Sequence, residues 1–125
     1  MKPSDLPIQQ IRGPLLEALS THRAVVIEGP TGCGKTTQVP QMLADSPLVP
    51  PGRRVGVTQP RRIAAVSVAW RIAKERGQVV PGEVGYAIRF DDQTNRDTRI
   101  RIMTDGILLQ EARSDPTLGQ YAVLM

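Results

Sequence analysis

A glycine-rich stretch at positions 29–36 constrains this chain more than any other part of its sequence. It reads GPTGCGKT and matches the pattern G-x-x-x-x-G-K-[ST]. The apolar, β-branched run at 24–28 precedes it, and a sequence that favours a helix follows it. We therefore predict a buried parallel strand over 24–28, a tight turn, and a helix over 35–43.

The residue types of this loop suit the binding of a phosphate chain. Its glycines permit positive φ angles, so that successive N–H groups can converge on an anion, and the following helix adds a partial positive charge at its amino terminus. Lys35 is expected to contact the β- and γ-phosphates, and Thr36 to place its hydroxyl on Mg²⁺. These two residues are the catalytic candidates. The predicted nucleotide-binding residues of the loop are Gly29, Thr31, Gly32, Cys33, Gly34, Lys35, Thr36 and Thr37.

Composition limits the size and class of the protein. With 125 residues, 40% hydrophobic and 22% charged, the chain has room for one soluble globular domain. No apolar stretch approaches the ~20 residues of a membrane span, and the start lacks the apolar core of a signal peptide. We therefore expect an intracellular protein, with nucleus and cytoplasm not distinguished. One cysteine and one histidine argue against a disulfide or a structural zinc site, and the net charge of +4 only weakly favours an anionic partner.

Periodicity and turn signals extend an alternation of strands and helices along the chain. Strands are predicted at 55–58, 84–90, 100–103 and 121–125, with Phe90 in the core. A largely buried helix is predicted over 61–76, and a second helix over 105–113 with Thr104 or Asp105 as its cap. The proline-rich segment 45–52 is predicted to be a loop. Such alternation behind a phosphate loop predicts an α/β fold with a mostly parallel sheet. The ligand is expected at the carboxyl ends of the strands.

Two arginines follow the strand predicted at 55–58, where the sequence reads TQPRR at 58–62. The proline prevents the strand from continuing, so that Arg61 and Arg62 fall at the start of a helix, where unpaired backbone donors accumulate. Contact with a phosphate chain and plain solvated surface charge explain these residues equally well from the pattern alone.

Four ordered blocks resemble the first RecA-like domain of the DEAH-box RNA helicases. The blocks are GPTGCGKTTQVPQ at 29–41, TQPRRIAAVSVAWRIAKERG at 58–77, GEVGYAIRFDD at 82–92 and TDGILLQEA at 104–112. The segment at 6–8 also resembles the one that precedes the loop in that family, so the resemblance covers nearly the whole chain. It implies a P-loop NTPase of RecA-like architecture that uses ATP and Mg²⁺ to unwind or remodel RNA.

The resemblance also implies roles for residues outside the loop. Arg71, on the polar side of the long helix, is implied to stack on the adenine ring, which a planar guanidinium permits. Arg89 lies in a segment that resembles the family's hairpin hook beside the RNA. The residues implied to hold the sugar-phosphate backbone of single-stranded RNA are Gln59, Pro60, Arg61, Arg62, Thr104, Asp105 and Gly106. The implied partner is therefore RNA, with a protein activator allowed for and no membrane, while DNA stays open because nothing here visibly reads a 2′-hydroxyl.

The segment 121–125 resembles the strand that precedes the family's Asp-Glu-x-His block. We therefore expect residues 1–125 to be the N-terminal portion of a helicase ATP-binding domain, ending before that block. Because the block supplies an acidic group for Mg²⁺ and the carboxylate that prepares water, these residues alone should at most bind nucleotide and RNA. The alternatives are a non-catalytic nucleotide-binding remnant and, less favoured, another P-loop NTPase such as a kinase or GTPase.

The first prediction concerns the coding sequence. If the parent protein is a helicase, the reading frame continues past Met125 into Asp-Glu-x-His and a second RecA-like domain. Sequencing the transcript and the genomic locus tests this. A stop codon directly after Met125 would favour the remnant.

Overall fold

The computed structural model describes residues 6–30 and 33–125. A 3₁₀ helix (Pro7–Ile11) leads into α1 (Arg12–Thr21), followed by α2 (Lys35–Ala44), β1 (Arg54–Gln59), α3 (Arg62–Glu75), β2 (Val84–Ile88), β3 (Asp91–Gln93), β4 (Ile100–Thr104), α4 (Asp105–Ser114) and β5 (Tyr121–Leu124). Thr31 and Gly32, both assigned to the phosphate loop from sequence, lie outside the described residues. From α2 onward the helices and strands follow the order that the sequence predicts, except that the short strand β3 is additional.

The strands form one five-stranded sheet in the order β3-β2-β4-β1-β5. All neighbours are parallel except the β2–β3 hairpin, which is antiparallel. Gln59 at the end of β1 lies opposite Thr104 at the end of β4, and Ala87 of β2 lies opposite Met103. The prediction of an α/β fold with a mostly parallel sheet is confirmed, and the carboxyl ends of three strands share one edge.

Helix α3 covers the sheet with one face only. Ala65, Ala69 and Ile72 are completely buried, because small side chains let the helix lie close to β2 and β4. Ile63 and Trp70 point away from this contact and are 85% and 48% exposed. The prediction of a largely buried helix is therefore wrong, because only the face that packs on the sheet is buried and the opposite face is exposed.

The strand predicted over 24–28 is absent. These residues have no regular secondary structure, and Val26 is 84% exposed. A cavity of about 510 Å³ separates the segment from the end of β5. Strand β5 provides only four residues for pairing, so a strand over 24–28 would gain one short ladder and would leave its outer apolar face in water.

The prediction that Phe90 lies in the core is also wrong. Ile88 pairs with Asp91 across the β2–β3 hairpin, which makes Arg89 and Phe90 the connecting loop. Such short hairpin loops favour positive φ, and Phe90 has a φ of 69°. Its side chain is 93% exposed, and the guanidinium of Arg89 lies 4.8 Å from the ring centroid.

A buried arginine, Arg101, links the central strand β4 to neighbouring elements. Arg101 in β4 is 6% exposed and donates to the Tyr121 hydroxyl over 2.7 Å and to Thr94 Oγ1 over 3.1 Å. It also pairs with Glu111 of α4. Burial, together with the hydrogen bond to Glu111, raises the pKa of Tyr121 well above its ordinary value. Arg101 therefore ties β4 to both α4 and β5.

A substitution at Gly85 tests the hairpin. A Cβ on this β2 residue would lie 2.4 Å from the backbone oxygen of Gln93, and backbone cannot yield as a flexible side chain can. We expect Gly85→Ala to lower the free energy of unfolding by about 1–3 kcal/mol, measured by denaturant titration. Gly13→Ala is the control, because a Cβ there meets nothing within 4 Å. Equal stability of both variants would contradict the hairpin geometry.

Candidate functional site

The loop closes onto α2 through the backbone of Gly34. This residue precedes the helix with a φ of 100°, a conformation that favours glycine. A Cβ here would also lie 2.9 Å from Leu6 Cδ1 and 3.0 Å from Ile8 Cγ2. The Ile8 N–H donates to the Cys33 oxygen over 3.3 Å. The segment before α1 is therefore packed directly against the loop, and only glycine fits at position 34.

Lys35 begins α2 and reaches back across the loop. Its ammonium group donates to the Gly29 oxygen, so that the side chain bridges the first and last parts of the glycine-rich stretch. An ammonium group carries several donors, and this bond leaves others for a phosphate oxygen. Cys33 is buried, and a Cβ added at Gly29 would lie 3.1 Å from its Sγ, which fits the role of a small filling residue.

A pocket of about 310 Å³ lies in front of the amino terminus of α2. Its lining residues are Leu6, Pro30, Gly34, Lys35, Thr36, Thr37 and Arg71. The fold thus brings the loop and Arg71 of α3, which the sequence analysis assigned to one ligand by separate arguments, to the same cavity. Two cationic side chains and a helix amino terminus make this pocket suitable for an anion.

A polar network behind the pocket was missed by sequence reasoning. Gln38 is 3% exposed, and its amide donates to Glu75 Oε1 over 2.8 Å. Gln41 donates to the same oxygen over 3.0 Å. The Gln9 amide donates to Gln38 Oε1 over 2.9 Å. Each link joins residues far apart in sequence, and no local pattern distinguishes them from solvated polar side chains.

The residues assigned to RNA lie along the carboxyl edge of the sheet. Arg61 and Arg62 are exposed where β1 gives way to α3, and Asp105 is exposed at the first position of α4. Thr104 precedes α4 as its cap residue without a side-chain capping bond, so the predicted cap is positional only. Of the remaining residues assigned to this edge, Gln59 is half-buried, and Pro60 and Gly106 are exposed.

The β2–β3 hairpin stands beside the start of α3. Arg61 and Arg62 line an open, mostly apolar groove together with Ile88, at the end of β2. The pKa of the Asp91 carboxyl is lowered, first because Gln93 and then because Tyr86 donates to it, with the charge of Arg62 adding to the effect. The structure therefore places Arg89, in the hairpin loop, in the same region as Arg61 and Arg62.

The described ranges also contain no group of three or more His, Cys, Asp or Glu side chains able to hold a metal ion. Within those same ranges, no helix is long and apolar enough to cross a membrane.

A glycine-rich loop at the start of a helix, beside a mostly parallel sheet, defines a P-loop α/β domain. No family model matches the chain. It is 53% identical over 121 residues to the probable ATP-dependent RNA helicase DHX35 of Homo sapiens. It is 48% identical over 120 residues to the pre-mRNA-splicing factor ATP-dependent RNA helicase DEAH10 of Arabidopsis thaliana, and 47% identical over 120 residues to the ATP-dependent RNA helicase HrpA of Borreliella burgdorferi.

Each of these alignments covers 96% of the chain. These relatives are DEAH-box ATP-dependent RNA helicases, which confirms the resemblance of the four motif blocks to that family. The chain spans 17% of the length of the human and Arabidopsis proteins and 14% of the bacterial one.

The two helices that line the pocket, α2 and α3, are also linked just beyond their carboxyl-terminal ends, by an ion pair between Asp45 and Arg76. Asp45, just after α2, accepts hydrogen bonds from Arg76 over 2.7 and 3.0 Å, and this holds the pKa of its carboxyl below the ordinary value. The stabilisation is present above the unfolded pKa of about 4 and is lost as pH falls through the lower folded pKa.

We expect Asp45→Asn to lower the free energy of unfolding by about 0.5–1 kcal/mol at pH 7, since the half-exposed carboxylate is screened by solvent. The difference from the wild type should shrink as the pH is lowered below 4. Denaturant titrations across this pH range measure it, and a difference that is independent of pH would contradict the ion pair.

Proposed function

We propose that this chain supplies the phosphate-binding loop and part of the RNA-contacting surface of an ATP-dependent RNA helicase of the DEAH-box type. The pocket in which Lys35, Thr36 and Arg71 converge carries the proposal. The names of the relatives support it, since each is an ATP-dependent RNA helicase. Residues 1–125 would then form the N-terminal portion of a helicase ATP-binding domain.

The pocket suits ATP at both of its ends. Lys35 would give its remaining donors to the β- and γ-phosphates, beside the backbone N–H groups that begin α2. Arg71 lines the same cavity and is 69% exposed, so its planar guanidinium is free to lie against an adenine ring. Leu6 and Pro30 add apolar surface to the lining. The phosphates would thus be gripped by charge and the base by stacking.

Thr36 fits the role of an Mg²⁺ ligand. Its hydroxyl lies in the first turn of α2, and the residue is half-buried and lines the pocket next to Lys35. Mg²⁺ commonly keeps water and phosphate oxygens in its coordination shell and needs few protein ligands, so a single hydroxyl is chemically sufficient here. When bound, the ion would neutralise charge on the phosphates.

The carboxyl edge of the sheet suits the backbone of single-stranded RNA. Arg61 and Arg62 are exposed and lie at a helix start, where charge and free N–H groups favour phosphate. Arg89 extends the positive charge onto the hairpin. The backbone contacts are assigned to Gln59, Pro60, Arg61, Arg62, Arg89, Thr104, Asp105 and Gly106. Such contacts hold a strand without reading its sequence.

The phosphate grip is tested by Lys35→Ala. Loss of a charged donor should weaken ATP binding by about 10- to 100-fold, measured by isothermal titration calorimetry. Lys74→Ala is the matched control, because Lys74 is an exposed lysine on α3 outside the pocket. Unchanged ATP affinity in Lys35→Ala would refute the proposed site.

The RNA surface is tested by the double variant Arg61→Ala plus Arg62→Ala. We expect weaker binding of a single-stranded RNA by fluorescence anisotropy, and a salt dependence reduced by roughly 1.4 in the slope of log K against log salt. The control pair is Arg12→Ala plus Arg96→Ala, two exposed arginines away from the carboxyl edge. An equal loss in both pairs would mean that only net charge matters.

A further inference from the structure

We propose that Glu75 is a positioning residue, whose carboxylate holds the guanidinium of Arg71 at the mouth of the nucleotide pocket. The inference rests on the proposed function, since it requires that the pocket binds a nucleotide with its base against Arg71. It adds a residue that lies outside the pocket lining and that is not among the residues assigned above to ligand contact.

The two oxygens of the Glu75 carboxylate face different partners. Oε1 accepts hydrogen bonds from Gln38 over 2.8 Å and from Gln41 over 3.0 Å, both on α2. Oε2 lies 3.8 Å from Arg71 Nε, one helical turn earlier on α3. The Glu75 side chain is 16% exposed and that of Arg71 is 69% exposed. A shielded carboxylate that accepts two hydrogen bonds thus faces an exposed guanidinium.

The carboxylate is itself fixed relative to the phosphate loop. Gln38, its hydrogen-bond donor, is 3% exposed, and the Gln38 N–H donates to the Gly34 oxygen over 2.8 Å. The Gln38 side-chain oxygen also accepts from Gln9, on the 3₁₀ helix that packs against the loop. Glu75 therefore connects α3 to α2 and, through Gln38, to the 3₁₀ helix that follows the pocket residue Leu6.

Arg71 needs such support because a long exposed side chain loses much rotamer freedom when it is fixed against a ligand. An ion pair that already restricts the guanidinium removes part of this cost before binding, which is preorganisation. The gain belongs only to the part of the ligand that Arg71 touches. If that part is the base, a phosphate chain without a base gains nothing.

The decisive variant is Glu75→Gln. Its side-chain oxygen can still accept from the two glutamines, so the contact between α2 and α3 is kept, while the charge that faces Arg71 is lost. Calorimetry measures the binding of ATP and of inorganic tripolyphosphate to each variant. We expect Glu75→Gln to weaken ATP binding by about two- to fivefold, the range of an exposed ion pair, and to leave tripolyphosphate binding unchanged. In an Arg71→Ala background, Glu75→Gln should have no further effect.

Asp45→Asn provides the matched control, because Asp45 also links α2 to α3, through Arg76, without contacting the pocket. It should change the affinity for neither ligand. Equal weakening of both ligands by Glu75→Gln, persistence of its effect without Arg71, or unchanged ATP binding would each overturn the inference. Failure of the proposed function looks different: Lys35→Ala would then leave both affinities intact, or the wild type would bind neither ligand, and the inference would fall with it.

Discussion

The whole site depends on the backbone of Gly34. Its φ of 100° turns the chain from the loop into α2, and its missing Cβ leaves room for Leu6 and Ile8. Without this close approach, Leu6 could not line the pocket beside the amino terminus of α2. One residue thus sets the turn into the helix and leaves room for the segment that packs against the loop.

The two candidate binding regions share the sheet but use different parts of it. The pocket is formed by the start of α2 and the outer side of α3, whereas the exposed cations assigned to RNA follow β1 and stand on the β2–β3 hairpin. Helix α3 belongs to both: Arg62 begins it, and Arg71 lies two and a half turns later. A shift of this helix would move residues in both regions, which is a physical basis for coupling between a bound nucleotide and a bound RNA strand.

Local patterns predicted most of this fold because most of it is locally determined. The glycines and Lys35 mark the loop, and β1, α3, β4, α4 and β5 follow from periodicity with bounds close to those observed. The prediction of a strand over 24–28 was wrong because an apolar, β-branched sequence forms a strand only where a neighbouring strand pairs with it and other elements cover it. The prediction for Phe90 was wrong because β2 ends at Ile88, two residues earlier than predicted, and Arg89 and Phe90 form the hairpin loop that leads into β3.

Contacts between distant residues could not be predicted in this way. Glu75 lies in a run of charged residues, which is typical of a solvated helix position. Its carboxylate nevertheless accepts hydrogen bonds from the side-chain amides of Gln38 and Gln41 on α2. Arg101 occupies an apolar strand and is buried by partners from α4 and β5. Both depend on tertiary packing alone.

The most direct test is a crystal structure with a non-hydrolysable ATP analogue and Mg²⁺. We expect the β-phosphate within hydrogen-bond distance of Lys35 Nζ and the loop N–H groups, with the adenine ring stacked on the Arg71 guanidinium and Glu75 still behind it. A nucleotide bound elsewhere, or one whose base lies away from Arg71, would contradict the proposed site.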